Sequence, residues 1–279
     1  MEIARTRGEL HRLLEKTAPE QRGFVPTMGA LHEGHVSLVE RARRENGMVV
    51  VSVFVNPTQF NDPRDLERYP RTPDKDLRML EQAGADIVFM PEVGDIYPET
   101  DTREFDFGGL DKVMEGATRP GHFNGVAQVV SRLFALVEPA RAYFGEKDFQ
   151  QIAVVCEMVR QLGMDVDIVP CPIVREADGL AMSSRNTLLD AQCRNAAPKI
   201  YAAMREGAAR RGEATPREVE QFVTDVINSD PALEVIYFEV VDARTLQRVV
   251  DWNEAKDGIR GCVAVQAGAV RLIDNIAIV

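Results

Sequence analysis

The sequence predicts an α/β protein, a doubly wound parallel sheet over residues 1–174 followed by a smaller α+β domain over residues 175–279. Two observations carry this expectation. Through the first part, apolar runs of strand length alternate with amphipathic helical patterns, and such alternation folds as a parallel sheet with helices on both faces. Past residue 175 the alternation stops, and two helical patterns precede three strand patterns.

Taken in order, residues 1–16 (MEIARTRGELHRLLEK) read as a charged amphipathic helix. Strands are expected at GFVPT (23–27), MVVVSVFV (48–55), DIVFMP (86–91), RAYFG (141–145) and VDIVPCPIV (166–174). Helices fall between them at 35–46, 73–84, 123–137 and 148–163, punctuated by Gly84, Pro139 and Gly163. In the second part, helices are expected at 187–211 and 216–229, with Pro198 kinking or splitting the first. YFEVVD, GCVAVQAG and VRLIDNIAIV then read as antiparallel strands. In open parallel sheets, ligands bind beyond the carboxyl ends of the strands.

The chain has 33 Lys and Arg against 44 Asp and Glu, a net charge of -11. Nucleic-acid binders need a basic face, so the balance points away from DNA, RNA and anionic membranes, while a local basic pocket for a nucleotide stays open. No apolar run approaches the ~20 residues of a membrane span. The amino terminus lacks the apolar stretch of a signal peptide. Cys156, Cys171, Cys193 and Cys262 are scattered without a C-x-x-C pair, as expected of free thiols in a reducing cytoplasm.

Four stretches can carry chemistry. PTMGALHEGHVSL (26–38) has the G-x-x-x-x-G spacing of a phosphate-binding P-loop from Gly29, but His35 and Val36 stand where Lys and Ser or Thr belong. The stretch lies where a strand gives way to a helix, whose first N–H groups favour anions. His32 and His35 are three apart and share a helical face, and Gly34 leaves room for a base or ribose. Near a phosphate an imidazole becomes a cationic donor that stabilises departing pyrophosphate. Two surface histidines beside a cap are the plain alternative; two of the chain's four histidines in one tetrapeptide weigh against it. A zinc protease is excluded, because H-E-x-x-H needs i,i+4 spacing.

VFVNPTQF (53–60) places Asn56 and Gln59 after a buried-looking strand. Their amides can hold a carboxylate or hydroxyl without adding charge, or simply furnish a loop around Pro57. FGEKDFQQ (144–151) puts Lys147 and Asp148 at the start of a helix with Gln151 on the same side. A lysine there conflicts with the helix dipole unless a phosphate is bound; an ordinary charged turn is the alternative. DGLAMSSRN (178–186) offers Ser183, Ser184 and Arg185 for phosphate oxygens, and one of the serines also suits a helix N-cap. RPGHFNGV (119–126) adds His122, for which ligand and structural roles are both open.

In order along the chain, PTMGALHEGH, VFVNPTQF, YPRT, RPGHFNGV, FGEKDFQQ, VREADGLAMSSRN and RLIDN resemble the pantothenate synthetases (pantoate–β-alanine ligases) of the HxGH nucleotidyltransferase superfamily. The match runs from about residue 23 to 190, with a weaker echo to the end. HxGH alone is shared with adenylyltransferases and aminoacyl-tRNA synthetases; the ordered set is far more specific. The resemblance implies ATP-dependent joining of pantoate and β-alanine through an enzyme-bound pantoyl adenylate, a Rossmann-like nucleotide domain, a lid-like C-terminal domain, Mg²⁺ with ATP and a homodimer. It implies a nucleotide site at Met28, Gly29, Ala30, Leu31, His32, Glu33, Gly34 and His35, with His35 the proton donor. Gly145, Glu146, Lys147 and Asp148 match the nucleotide loop, Lys147 on phosphates and Asp148 on ribose. Val174 matches an adenine contact, and Met182, Ser183, Ser184 and Arg185 the phosphate flap. Gln59 and Gln151, with Asn56, match the pantoate grip, and Gln59 also the β-alanine position.

One departure concerns the metal. Lys75 stands where family members often carry an acid, so Asp74-Lys75-Asp76 gives no firm protein ligand for Mg²⁺, Asp76 included. A plain adenylyltransferase leaves the GEKD segment and the amide pair unexplained. A tRNA synthetase needs a tRNA-binding surface that a net charge of -11 disfavours, and a nucleotide sensor without turnover gives Lys147 and His35 nothing to do.

Overall fold

The computed structural model describes residues 1–60 and 63–279. Its first compact unit comprises residues 1–107, 119–146 and 151–172; the second comprises 108–118, 147–150 and 173–279. Two short segments from earlier in the chain thus join the later unit.

The first unit is built on a six-stranded sheet of β1 (Glu2–Ala4), β2 (Arg22–Thr27), β3 (Met48–Val53), β4 (Ile87–Phe89), β5 (Arg141–Gly145) and β6 (Asp167–Cys171). All pairs are parallel, in the order β1-β4-β3-β2-β5-β6. The central strands have helices on both sides, which is why Val49, Val50 and Val51 are all fully buried rather than alternating. On one face Val25, Val49, Val51 and Val88 pack with Leu38 and Val39 of the Glu33–Glu45 helix and Leu80 of the Pro73–Ala83 helix. On the other, Phe24 meets Phe134 of the His122–Val137 helix edge to face. The chain runs from β2 outward through β3 to β4, then returns to place β5 on the other side of β2. Between β2 and β5 lies the switch point at which such sheets form a ligand crevice.

Residues 2–4 correct the helical reading of the amino terminus. They pair in parallel with Ile87–Phe89, and the helix begins only at Arg7, where the Thr6 hydroxyl and the Glu9 carboxylate form a reciprocal capping box.

The second unit carries an antiparallel sheet of β7 (Leu233–Asp242), β8 (Ile259–Ala267) and β9 (Val270–Ala277). Ile200 and Met204 of the Pro198–Ala209 helix, Val219 and Val223 of the Pro216–Asn228 helix, and Val240, Val263 and Val265 of the sheet share its core. The long helix expected at 187–211 is divided: a 3₁₀ turn at Ser184–Leu188, a short helix Ala191–Ala196, and the Pro198–Ala209 helix with its proline in the first turn. A proline starts a helix readily because its missing N–H needs no partner there. The four cysteines are free thiols. Among the described residues no helix is long and apolar enough to cross a membrane.

Candidate active site

At the carboxyl end of β2 the chain makes a tight reversal. Gly29 and Ala30 both take left-handed backbone conformations, with φ of 79° and 51°. Thr27 supports the approach, its hydroxyl donating to the Ser52 carbonyl and accepting from the Gly29 N–H. The Ala30 and Leu31 N–H groups then donate to the two carboxylate oxygens of Asp76, at 2.9 and 2.8 Å.

His32 and His35 follow, and their arrangement differs from two residues on one helical face. His32 is extended (φ -143°, ψ 175°) and caps the helix that begins at Glu33. Its Nδ1 accepts from the Gly34 N–H at 3.2 Å, and Nδ1 of His35 accepts from the His32 N–H at 3.4 Å. This is a reciprocal capping box made by two imidazoles in place of the usual hydroxyl and carboxylate. The rings lie 4.1 Å apart between centroids. Backbone donors face Nδ1 of both rings, so the ring proton of each neutral histidine sits on Nε2. Two N–H donors are thereby set side by side at a helix N-terminus, where developing negative charge is stabilised.

Gln59 lies in a 3₁₀ turn, Pro57–Gln59, after β3. Its Oε1 accepts from Asn56 Nδ2 at 3.2 Å, and its Nε2 points to the Met28 sulfur at 3.1 Å. Asn56 is buried, its Nδ2 also donates to the Gly125 carbonyl, and its Oδ1 accepts from Thr58 and from the Tyr97 hydroxyl. Its amide is engaged at both ends in holding the Gln59 turn.

RPGHFNGV closes on the same turn from the other side. The Gln59 carbonyl accepts from Nδ1 of buried His122 at 2.8 Å, and Nε2 of that ring faces Arg119 at 3.2 Å. A side chain at position 125 would bring its Cβ within 2.5 Å of the Thr58 carbonyl oxygen, so only glycine permits this approach of the His122–Val137 helix. Gln151, half-buried in the first turn of the Phe149–Leu162 helix, belongs to the same unit. Gly145 ends β5, next to β2 in the sheet, with Glu146 following.

The remaining expected residues lie in the second unit. Lys147 sits in the Glu146–Asp148 3₁₀ turn, its ammonium 3.5 Å from the Asp148 carboxylate. Its carbonyl accepts from Asn275 Nδ2 at 3.1 Å, which ties the turn to β9 and gives RLIDN a role the sequence did not disclose. Lys147 and Ser183 line one small cavity together with Asp274. Burial raises the Asp274 carboxyl above its ordinary value, opposed by paired hydrogen bonds of 2.6 and 2.9 Å from Arg175 and by the Lys147 charge. Val174 and Met182 meet across a tight loop, the Met182 N–H donating to the Val174 carbonyl at 3.0 Å. Ser183 caps the next turn, accepting from the Arg185 N–H, and Ser184 and Arg185 are half-buried beside it.

Among the described residues no group of three or more His, Cys, Asp or Glu could hold a metal ion.

The family model for Pantoate-beta-alanine ligase matches residues 2–277. The chain belongs to the pantoate–β-alanine ligase family. This ligase is 54% identical over 278 residues to the pantothenate synthetase of Porphyromonas gingivalis, with 99% of each chain covered. It is 56% identical over 261 residues to that of Bacteroides fragilis, covering 94% of this ligase and 92% of the relative. The crystal structure of pantothenate synthetase from Thermus thermophilus superposes with a TM-score of 0.93 at 46% identity, over 100% and 99% of the two chains. The pantoate-β-alanine ligase of Francisella tularensis, complexed with β-γ ATP and β-alanine, gives 0.85 at 35% identity over 99% and 97%.

Proposed function

We propose that this ligase joins pantoate to β-alanine in two steps driven by ATP, as a cytoplasmic homodimer. A pantoate carboxylate oxygen attacks the α-phosphorus, the bond to the bridging oxygen breaks, and pyrophosphate leaves. The β-alanine nitrogen, as a neutral amine, then attacks the acyl carbon, the bond to the phosphate oxygen breaks, and AMP leaves as the amine loses its proton.

The observation that carries this reading is the histidine capping box. Nucleotidyl transfer from ATP to a carboxylate brings two anions together and expels a third. His32 and His35 present Nε2 donors at a helix N-terminus, which suits the charge that grows on the leaving pyrophosphate. We assign His35 as the proton donor. Lys147, Ser183, Ser184 and Arg185 serve the phosphates, Asp148 the ribose and Val174 the adenine. Gln59 and Gln151 orient pantoate, with Gln59 also facing β-alanine. Asn56 joins them at pantoate and also holds the Gln59 amide. The crystal complex of the Francisella relative with β-γ ATP and β-alanine supports ATP and β-alanine as substrates.

Mg²⁺ accompanies ATP in this reading and would neutralise phosphate charge. The donor set fits an ion held by phosphates and water, since both oxygens of Asp76 already accept backbone hydrogen bonds. No protein residue is assigned as its ligand.

The test is isotope exchange between pyrophosphate and ATP with Mg²⁺ present and β-alanine absent. Exchange that requires pantoate is expected, because the adenylate forms reversibly before the amine enters. Exchange with another acid but not pantoate overturns the substrate, and no exchange with any acid overturns the adenylate.

A further inference from the structure

The geometry points to Asp76 as a positioning residue that locks the 29–31 turn and, through it, aims His32 and His35 at the nucleotide. The inference rests on the assignment of this turn to ATP. It is carried by three features that meet at one carboxylate.

The first is backbone conformation. Two consecutive left-handed residues are unusual, and for Ala30, which has a Cβ, the conformation is strained and the surroundings must offset it. The second is the offsetting contact. Asp76 comes from the first turn of the Pro73–Ala83 helix and is 1% exposed. One of its oxygens accepts from Ala30 N–H at 2.9 Å, the other from Leu31 N–H at 2.8 Å and from the Thr72 hydroxyl at 2.9 Å. Hydrogen bonds to an ionised acceptor are roughly twice as strong as neutral ones. The third is fit. A Cβ at position 29 would lie 3.1 Å from the same carboxylate and 3.0 Å from Val53, so Gly29 supplies both its positive φ and the room for Asp76.

The turn leads directly into the His32 cap, so its course fixes where both imidazoles point. Asp76 falls in the run Asp74-Lys75-Asp76, which by sequence gives no firm ligand for a metal. Its position gives it a different role, because three donors occupy its two oxygens inside the protein. The charge of Asp76 makes the inference easy to separate from simple electrostatics. Removing a negative charge near a polyanion site favours ATP, whereas loosening the turn disfavours it.

The experiment is calorimetric titration of ATP into the parent enzyme, Asp76→Asn and Thr72→Val, each in EDTA and again in Mg²⁺. Asn keeps one acceptor and sets a donor amide against a backbone N–H. We expect Asp76→Asn to weaken ATP by about tenfold in EDTA and by the same factor in Mg²⁺, with the KM for β-alanine unchanged. Thr72→Val, which keeps the carboxylate and loses one of its donors, should weaken ATP by about threefold under both conditions, and it carries the test should Asp76→Asn not fold. Unchanged or tighter ATP binding in EDTA overturns the inference. A loss seen only with Mg²⁺ also overturns it, making Asp76 a metal ligand, as does a parallel rise in the β-alanine KM, which marks general damage. A parent enzyme that binds no ATP at all overturns the proposed function and the inference together.

Discussion

Lys147 brings a positive charge to the phosphates in the proposed reaction, and its backbone carbonyl is held by Asn275. A preorganised donor of this kind is worth about 10²–10³ in rate, so Lys147→Ala is expected to slow pantoate-dependent exchange at least about a hundredfold while the circular dichroism spectrum is retained. Near-parental exchange from a folded variant removes Lys147 from the mechanism. Gln59 contributes no charge and a single well-held amide, so Gln59→Ala should raise the KM for pantoate by several times more than that for ATP. Equal loss of ATP affinity with pantoate untouched would place the amide in the wrong pocket. Both residues stand out in the sequence because their type and position, after a strand end, suit such chemistry. For Asn56 and His122 the sequence leaves ligand and structural roles both open. Whether a polar side chain faces a ligand or grips a neighbouring turn depends on burial and on partners far along the chain, Gly125 for Asn56 and Gln59 for His122.

At the scale of elements, the segment 101–105 shows how irregular chain is held to a rigid helix. Asn124, Gln128 and Arg132 recur every four residues along one side of the His122–Val137 helix. Asn124 and Gln128 bond the backbone at residues 101, 103 and 105, and Arg132 bonds the Asp101 carboxylate at 2.7 Å. Hydrogen bonds from Arg103, then from Arg132, hold the Asp101 carboxyl far below the ordinary range against the opposing effect of burial. A depressed folded value stabilises the protein fully above the unfolded value of about 3.9 and ceases to do so as pH falls through the folded one. Asp101→Asn should therefore cost on the order of 2 kcal/mol at pH 7, read from urea unfolding. The gap to the parent should narrow steadily below about pH 4. A gap that is constant between pH 7 and pH 3 would mean that ionisation of Asp101 contributes nothing. Element type was legible from periodicity, and the break at Pro198 from its chemistry. The strand at Glu2–Ala4 was hidden because three residues carry no period, and its identity comes from pairing with Ile87–Phe89.

For the whole molecule, alternation of strands and helices announced a parallel sheet, but strand order was beyond it, since periodicity says which face is buried and nothing about which strand lies beside which. The acidic balance has a consequence that no single residue shows. With 33 basic against 44 acidic side chains, the chain must collect ATP, an anion, against its own long-range field. The groups proposed to hold the phosphates act at contact distance, where salt screens weakly, whereas the net field reaches outward only over a Debye length, which shrinks from about 30 Å at 0.01 M to about 10 Å at 0.1 M salt. Raising ionic strength across that range should accelerate association of a fluorescent ATP analogue in stopped flow at fixed free Mg²⁺, because the repulsion is screened first. A protein that steers its anion with a basic face slows under the same change. An association rate that falls steeply with salt would show that local cations govern the approach as well as the bound state, and the net charge would then bear on solubility rather than on capture.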